Sequence, residues 1–222
     1  MPLDEDGDPL PVPTPPELSD RRFATVDLLP PPDDGGFHST ISEVPSEVAA
    51  RSTWREGCPV ALDELSYVTV SFVGFDQKPH TGELLVNAGV AEDIVGVFHT
   101  LFENGFPIEM VNITRPEDLE AEPTGDGNPT TAFVCRAATG GTGWSEHAYG
   151  LAIDINPFHN PYLRGETVLP ELAGDYLDRS RRLPGMITEG DVVTQAFDEI
   201  GWGWGGRWAT LKDWQHFSLR GR

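Results

Sequence analysis

In residues 1–50 the apolar positions, such as those of TVDLLPPP and ISEVPSEVAA, are set among prolines and acidic residues. This stretch holds ten of the chain's 20 prolines and eleven acidic residues against two basic ones. Such a composition disfavours helix and sheet and buries little apolar surface. It predicts an extended acidic, proline-rich arm or linker, and places a domain over residues 51–222. From Trp54 the pattern changes. SYVTVSFVGF (66–75) is rich in β-branched and aromatic residues and predicts a strand, ended by the turn-like DQKPHTG. In 87–105, apolar residues at Ala91, Ile94, Val95, Phe98, Leu101 and Phe102 lie between an Asn start and an Asn104-Gly105 stop. That spacing predicts an amphipathic helix, with His99 off the stripe and without a chemical role.

Further strands are expected at FPIEMVNI (106–113), TAFVCRAAT (131–139), GLAIDI (150–155) and WQHFSL near the C-terminus, with a short helix at DVVTQAFDEIG (191–201). RPEDLEAEPTGDGNP (115–129) reads as a polar loop, and residues 163–190 as irregular. No internal repeat is visible. One strong helix and a late short one among turn-linked strands predict an α+β domain, built on a central, mainly antiparallel sheet with flanking helices.

Charge narrows the set of partners. Thirty-six acidic against 15 basic residues give a formal charge of -21, which repels nucleic acid and anionic membranes over most of the surface. No apolar run approaches the roughly 20 residues that span a bilayer. The opening MPLDEDGDPLP is acidic where a signal peptide is basic and then apolar. Cys58 and Cys135 belong to no C-x-x-C pair; one disulfide and two separate buried thiols are both compatible with their spacing.

Chemistry concentrates in two stretches. In SEHAYGLAIDINPFHNPY (145–162), alternation along GLAIDI puts Leu151, Ile153 and Ile155 on one face and Ala152 and Asp154 on the other. A carboxylate there needs a positive partner, and a divalent cation is one. Gly150 lets the chain fold His147 back toward Asp154. Alone, this pair fits equally an aspartate held by hydrogen bonds and a histidine in an exposed turn. KDWQHF (212–217) adds Asp213 and His216. His147, Asp154 and His216 then form the two-imidazole, one-carboxylate set of a catalytic zinc site with a fourth position open. Asp213 is left over as a general base.

The pattern S-x-H-x-x-G-x-A-x-D, followed far downstream by an acid-x-x-His-Phe, resembles the zinc D-alanyl-D-alanine carboxypeptidase family, which includes L-alanyl-D-glutamate endopeptidases and cuts peptidoglycan stem peptides. WREGCP, GFDQKPHTGELLVN, FPIEM, TTAFVCR, HAYGLAIDINPFHNPY and GWGWGGRW before KDWQHF resemble its endopeptidase-like branch in content and order, over roughly residues 54–219. The resemblance implies a hedgehog/DD-peptidase-like fold and a zinc metallopeptidase with His147, Asp154 and His216 as ligands and Asp213 as catalytic acid/base, where many relatives carry Glu. It also implies that Arg136 faces the site, stabilising an oxyanion or holding a substrate carboxylate, against the alternative of a structural ion pair. Ser145 either bonds substrate or caps its turn. Trp214, between two proposed site residues, is expected to line the cleft, whereas Trp202, Trp204 and Trp208 are expected to pack. His80 and His159 are expected to be surface or loop-tethering histidines, and His38 lies in the arm. The implied setting is extracellular or cell-wall associated, with stem peptides as partners and the chain a monomer. A non-catalytic zinc-stabilised cell-wall-binding module and a metal-free interaction protein are the competing readings.

Overall fold

The hairpin of β2 (Leu65–Val73) and β3 (Pro79–Asn87) is the largest regular piece of the protein, which is seen here as a computed structural model describing residues 12–121, 124–138 and 143–221. The strands pair antiparallel from Leu65↔Asn87 to Val73↔Pro79. β1 (Ser39–Glu43) adds antiparallel to the outer side of β2, with all five of its residues exposed. Val68, Val70 and Phe72 of β2, with Leu84 and Val86 of β3, bury one face against α2 (Ala91–Glu103). Leu65 and Leu85 go into a second apolar cluster with Val48, Ile113, Phe133 and Cys135. A hairpin covered on both faces loses its polar alternation. For this reason ELLV carries no strand period, and the stretch expected to be a turn, DQKPHTG, already contains the first residues of β3.

The helix at 87–105 is present, preceded by a short 3-10 turn, Ala88–Val90, that Asn87 caps. Its buried stripe is Ala91, Ile94, Val97, Phe98 and Leu101, with Val95 only partly buried. The remaining helices are α1 (Ser46–Arg51), α3 (Pro116–Glu120) in the expected polar loop, and α4 (Val192–Glu199), whose Asp191 cap accepts from the backbone of Val193 and Thr194. Among the described residues no helix is long and apolar enough to cross a membrane.

One central sheet is not what forms. The described strands divide into three antiparallel sheets of three strands each. The second sheet is β4 (Ala152–Asp154), β9 (His216–Ser218) and β7 (Gly203–Trp204), with β9 in the middle. The third is β6 (Thr167–Leu169), β5 (Tyr162–Arg164) and β8 (Lys212–Asp213), with β5 in the middle. Residues 163–190, expected to be irregular, therefore contain most of a hairpin. The expected strands at 106–113 and 131–138 make only isolated bridges. Their backbone donors scatter over several partners: Ile108, Asn112, Phe133 and Val134 N–H reach the carbonyls of Val73, Thr130, Leu85 and His147 in turn, while Glu109 N–H donates to Asn156 Oδ1 (3.1 Å) and Cys135 N–H to Thr53 Oγ1 (3.0 Å), so neither stretch follows a single partner strand.

Residues 12–50 are more deeply docked than their composition suggests. Leu18, Arg21 and Val48 are buried. Arg21 forks onto Glu109 through Nε (2.7 Å) and Nη2 (2.6 Å), and its Nη1 donates to the carbonyl of Asp126 (2.8 Å). An ion pair supplied from elsewhere in the chain compensates the buried charge, which no local reading of composition registers. Cys58 and Cys135 are joined in a disulfide with Cα atoms 5.9 Å apart, tying the segment after α1 to the residue before Arg136. Residues 1–11 of the arm, 122–123 of the polar loop and residue 139 of the expected strand lie outside the described residues.

Candidate metal centre and its cleft

His147 sits in a 3-10 turn, Glu146–Tyr149, that delivers the chain into β4. Ser145 caps this turn, its hydroxyl accepting from the backbone N–H of His147 at 3.3 Å. Gly150 ends it at φ +67°, and a Cβ there would stand 2.5 Å from the backbone nitrogen of Asn87. Only glycine permits both the left-handed turn and the close pass against β3. Asp154 closes β4 and is the direct cross-strand partner of His216 on β9. Opposed residues on neighbouring strands hold their Cβ atoms roughly 5 Å apart, so the register alone sets these two side chains together.

The three side chains converge. His147 Nε2 lies 3.2 Å from His216 Nδ1 and 3.2 Å from Asp154 Oδ2, and His216 Nδ1 lies 3.0 Å from Asp154 Oδ1. Two ligand atoms about 2.05 Å from one ion at a tetrahedral angle stand roughly 3.3 Å apart, close to these spacings. His147 Nδ1 is 2.6 Å from the carbonyl of Ala132 and donates to it, so in the neutral ring a metal ligand requires, the lone pair is on Nε2, toward His216 and Asp154. This is the outer bond that fixes the tautomer of a metal-ligating histidine. Burial pushes the Asp154 carboxyl up, but the charges and hydrogen bonds of His147 and His216 outweigh it and hold the group well below the usual carboxylate range. Two imidazoles and a carboxylate that stays ionised are a donor set that fits zinc.

Asp213 stands beside this group on β8, paired with Tyr162 of β5. A Cβ on Gly205 would come within 2.5 Å of the Asp213 carbonyl oxygen, so the glycines of GWGWGGRW let that loop close over β8. Burial first, and the charge of Asp154 second, push the Asp213 carboxyl up to about 7. Its Oδ1 is buried without a hydrogen-bond partner among the described residues. A carboxyl with raised proton affinity and an unused oxygen can accept and return a proton near neutrality.

These groups open on a cleft of about 540 Å³. Arg136 lines it, half-buried, with Nη1 donating to the carbonyl of Ala137 at 3.2 Å. Trp144, Tyr149, Tyr162, Trp208 and Arg220 also line it and were missed in the sequence. Trp214 does not. Its ring packs on the core beneath the Arg179 guanidinium at 5.0 Å. Trp208 takes the wall position instead, 5.5 Å from the His216 ring, whereas Trp202 and Trp204 are core residues as expected. Trp208 alone of these three immediately precedes the loop that leads into Asp213, which was the available signal.

Of the two expected roles, His80 and His159 take the tethering one and not the surface one. His80 is buried between Asp27 and Asp76, at 2.8 and 3.0 Å. His159 is fully buried, donating from Nε2 to the carbonyl of Arg21 (3.0 Å) and accepting at Nδ1 from Asn128 (3.2 Å). Burial pushes it down to about 3, so it is neutral. Their partners lie up to 138 residues away, beyond any local spacing. Neither belongs to the one candidate metal group among the described residues, which is His147, Asp154 and His216.

Comparison with known proteins places this site in a family context. Residues 139–219 match the family model described as D-alanyl-D-alanine carboxypeptidase, a family of zinc peptidases. The matched segment includes Ser145, His147, Asp154, Asp213 and His216; Arg136 lies outside it. The chain is also 31% identical over 100 residues to a protein of Treponema pallidum (strain Nichols) described as uncharacterized. That alignment covers 44% of this chain and 24% of the relative, so the chain matches about a quarter of the relative's length. No solved structure matches.

Proposed function

We propose that the chain is a zinc-dependent peptidase that hydrolyses peptide bonds in peptidoglycan stem peptides, as a D-alanyl-D-alanine carboxypeptidase or an L-alanyl-D-glutamate endopeptidase. The observation that carries this reading is the convergence of His147 Nε2, Asp154 and His216 Nδ1, all within 4.8 Å of one another, alongside Asp213 Oδ1, which is buried with no hydrogen-bond partner among the described residues. In this reading those three side chains hold zinc, which when bound supplies Lewis-acid polarisation of a carbonyl and lowers the pKa of water. Asp213 takes a proton from the attacking water and gives it to the leaving amine. Arg136 opposes the negative charge that develops on the scissile carbonyl oxygen, as a preoriented cation in the cleft. Residues 51–222 act as the peptidase domain, of the hedgehog/DD-peptidase-like type, and the ordered motifs from Trp54 onward support that extent. The Cys58–Cys135 disulfide supports work in an oxidising setting outside the cytoplasm, where stem peptides are.

The test pairs metal analysis with product masses. Protein dialysed against zinc and then buffer is expected to retain one equivalent, and to release D-alanine or to split the stem of purified muropeptides. One zinc with no products would make it a binding module; no zinc would leave an interaction protein.

A further inference from the structure

We infer that Arg220 is a recognition site for a substrate carboxylate, set into the wall of the same cleft by Glu146. The inference rests on the peptidase reading of that cleft and adds to it the residue that reads a substrate carboxylate within about four residues of the bond cut.

Placement gives the first argument. Glu146 is the neighbour of His147 in the 3-10 turn, and Arg220 is four residues beyond His216. Four residues of chain span at most about 14 Å, so both groups lie within a few residues' reach of the metal-ligand atoms. Both line the cleft. Arg220 Nη1 donates to Glu146 Oε1 at 3.2 Å, and its guanidinium lies 5.4 Å from the centre of the Tyr149 ring. The glutamate side chain is only 11% exposed, whereas that of Arg220 is 49% exposed.

Contrast with other arginines gives the second. Arg207 is saturated by two carboxylates, Glu189 and Asp198, and Arg21 and Arg51 are each forked onto one, Glu109 and Glu83. Arg220, among the described residues, has one single-point contact to one oxygen and a ring beneath it. The rest of its planar fork keeps the geometry that binds a carboxylate through two parallel bonds. Glu146 and Tyr149 fix the side chain's direction and leave that edge for a ligand.

The experiment uses the full chain, zinc-loaded, carrying Asp213→Ala so that binding is read without turnover. Three probes are compared by calorimetry: the stem pentapeptide L-Ala-D-Glu-L-Lys-D-Ala-D-Ala, its C-terminal amide, and its form with the glutamate carboxylate amidated. One of the two amides is expected to bind roughly tenfold more weakly than the parent, the value of one charge-assisted contact. Adding Arg220→Gln should reduce that ratio to about one, and Arg220→Lys should keep only part of it. Equal binding of all three probes to the Arg220-containing protein, or a ratio that survives Arg220→Gln, would overturn the inference. Turnover of the pentapeptide by the protein with Asp213 intact is measured separately. Its absence beside intact discrimination sinks the peptidase reading and spares the carboxylate site.

Discussion

Two buried polar clusters in this protein use the same residue types to opposite ends. In one, Arg21, Glu109, Asn128 and His159 satisfy one another: Glu109 accepts from Arg21 and from Asn128 Nδ2 (2.7 Å), and Asn128 also donates to His159 Nδ1. In the other, ligand atoms of His147, Asp154 and His216 gather around one point, and the adjacent Asp213 Oδ1 is buried with no hydrogen-bond partner among the described residues. The first is closed and the second open. Closed polar networks hold chain segments in a single arrangement, whereas an open one stores the affinity that an incoming cation or substrate uses. The two are linked in sequence. Asn156, two residues after Asp154, accepts from Glu109 N–H and donates to the carbonyls of Pro107 and Gly185. The closed cluster thereby braces the segment that leaves the open one.

The sharpest way to break this contrast is to empty the open cluster. His216→Ala should abolish retained zinc and all muropeptide hydrolysis, checked by metal analysis and product masses, with the fold left intact by circular dichroism. Retention of a full equivalent of zinc would mean that the ion, if any, sits elsewhere. Next in size, Asp213→Ala should keep the zinc and lower kcat by about 10²- to 10⁴-fold, the range for a general acid–base group. Loss of zinc in that variant would make Asp213 a ligand and not the proton carrier.

The open cluster was legible in the sequence and the closed one was not, for a physical reason. His147 and Asp154 are joined by a short turn that Gly150 makes possible, and Asp213 and His216 flank a tight turn, so each half of the site is local. The register Asp154↔His216 then needs only the pairing of two short apolar strands, GLAIDI and WQHFSL. The closed cluster draws Arg21, Glu109, Asn128 and His159 from four remote segments, and each by itself reads as surface or loop. The same division runs through the fold. α2 announces itself by its period, while β3 is hidden by burial on both faces, and the stretches 106–113 and 131–138 make no ladder because their backbone donors are divided among several segments and the side chains of Asn156 and Thr53. Trp214 was misjudged because proximity to Asp213 in sequence says nothing of which side of β8 its ring takes.

Cutting into the closed cluster should cost stability and spare chemistry. Glu109→Ala leaves the buried Arg21 guanidinium, among the described residues, with the Asp126 carbonyl as its hydrogen-bond acceptor and the rings of Phe23 and Phe158 beside it, but no counter-charge. Breaking a buried ion pair from one side costs about 3–5 kcal/mol. Urea unfolding should show that loss, while zinc stoichiometry in native buffer stays at one. If Glu109→Ala instead sheds zinc as completely as His216→Ala, the two clusters are one cooperative unit and the contrast between them dissolves.

The smallest expected effect is a slope in acid. His159 has a folded-state pKa pushed down to about 3 by burial, against about 6.5 for an unperturbed histidine. Above pH 6.5 both folded and unfolded chains carry it neutral, and its contribution to stability is constant. Between 6.5 and 3 the unfolded chain binds a proton there that the folded chain refuses, so stability falls as pH falls, by at most about 1.4 kcal/mol per pH unit. His159→Gln can place a neutral side-chain amide against the Arg21 carbonyl and removes this titration. Measured by urea unfolding with chelator present, so that protons do not compete with zinc at His147 and His216, the two proteins should diverge as pH drops from 6.5 to 5. That window lies above the ordinary carboxylate range, and the difference between the two curves cancels groups common to both. Parallel curves through it would mean that the histidine protonates in place, and that the closed cluster opens to acid more easily than its hydrogen bonds imply.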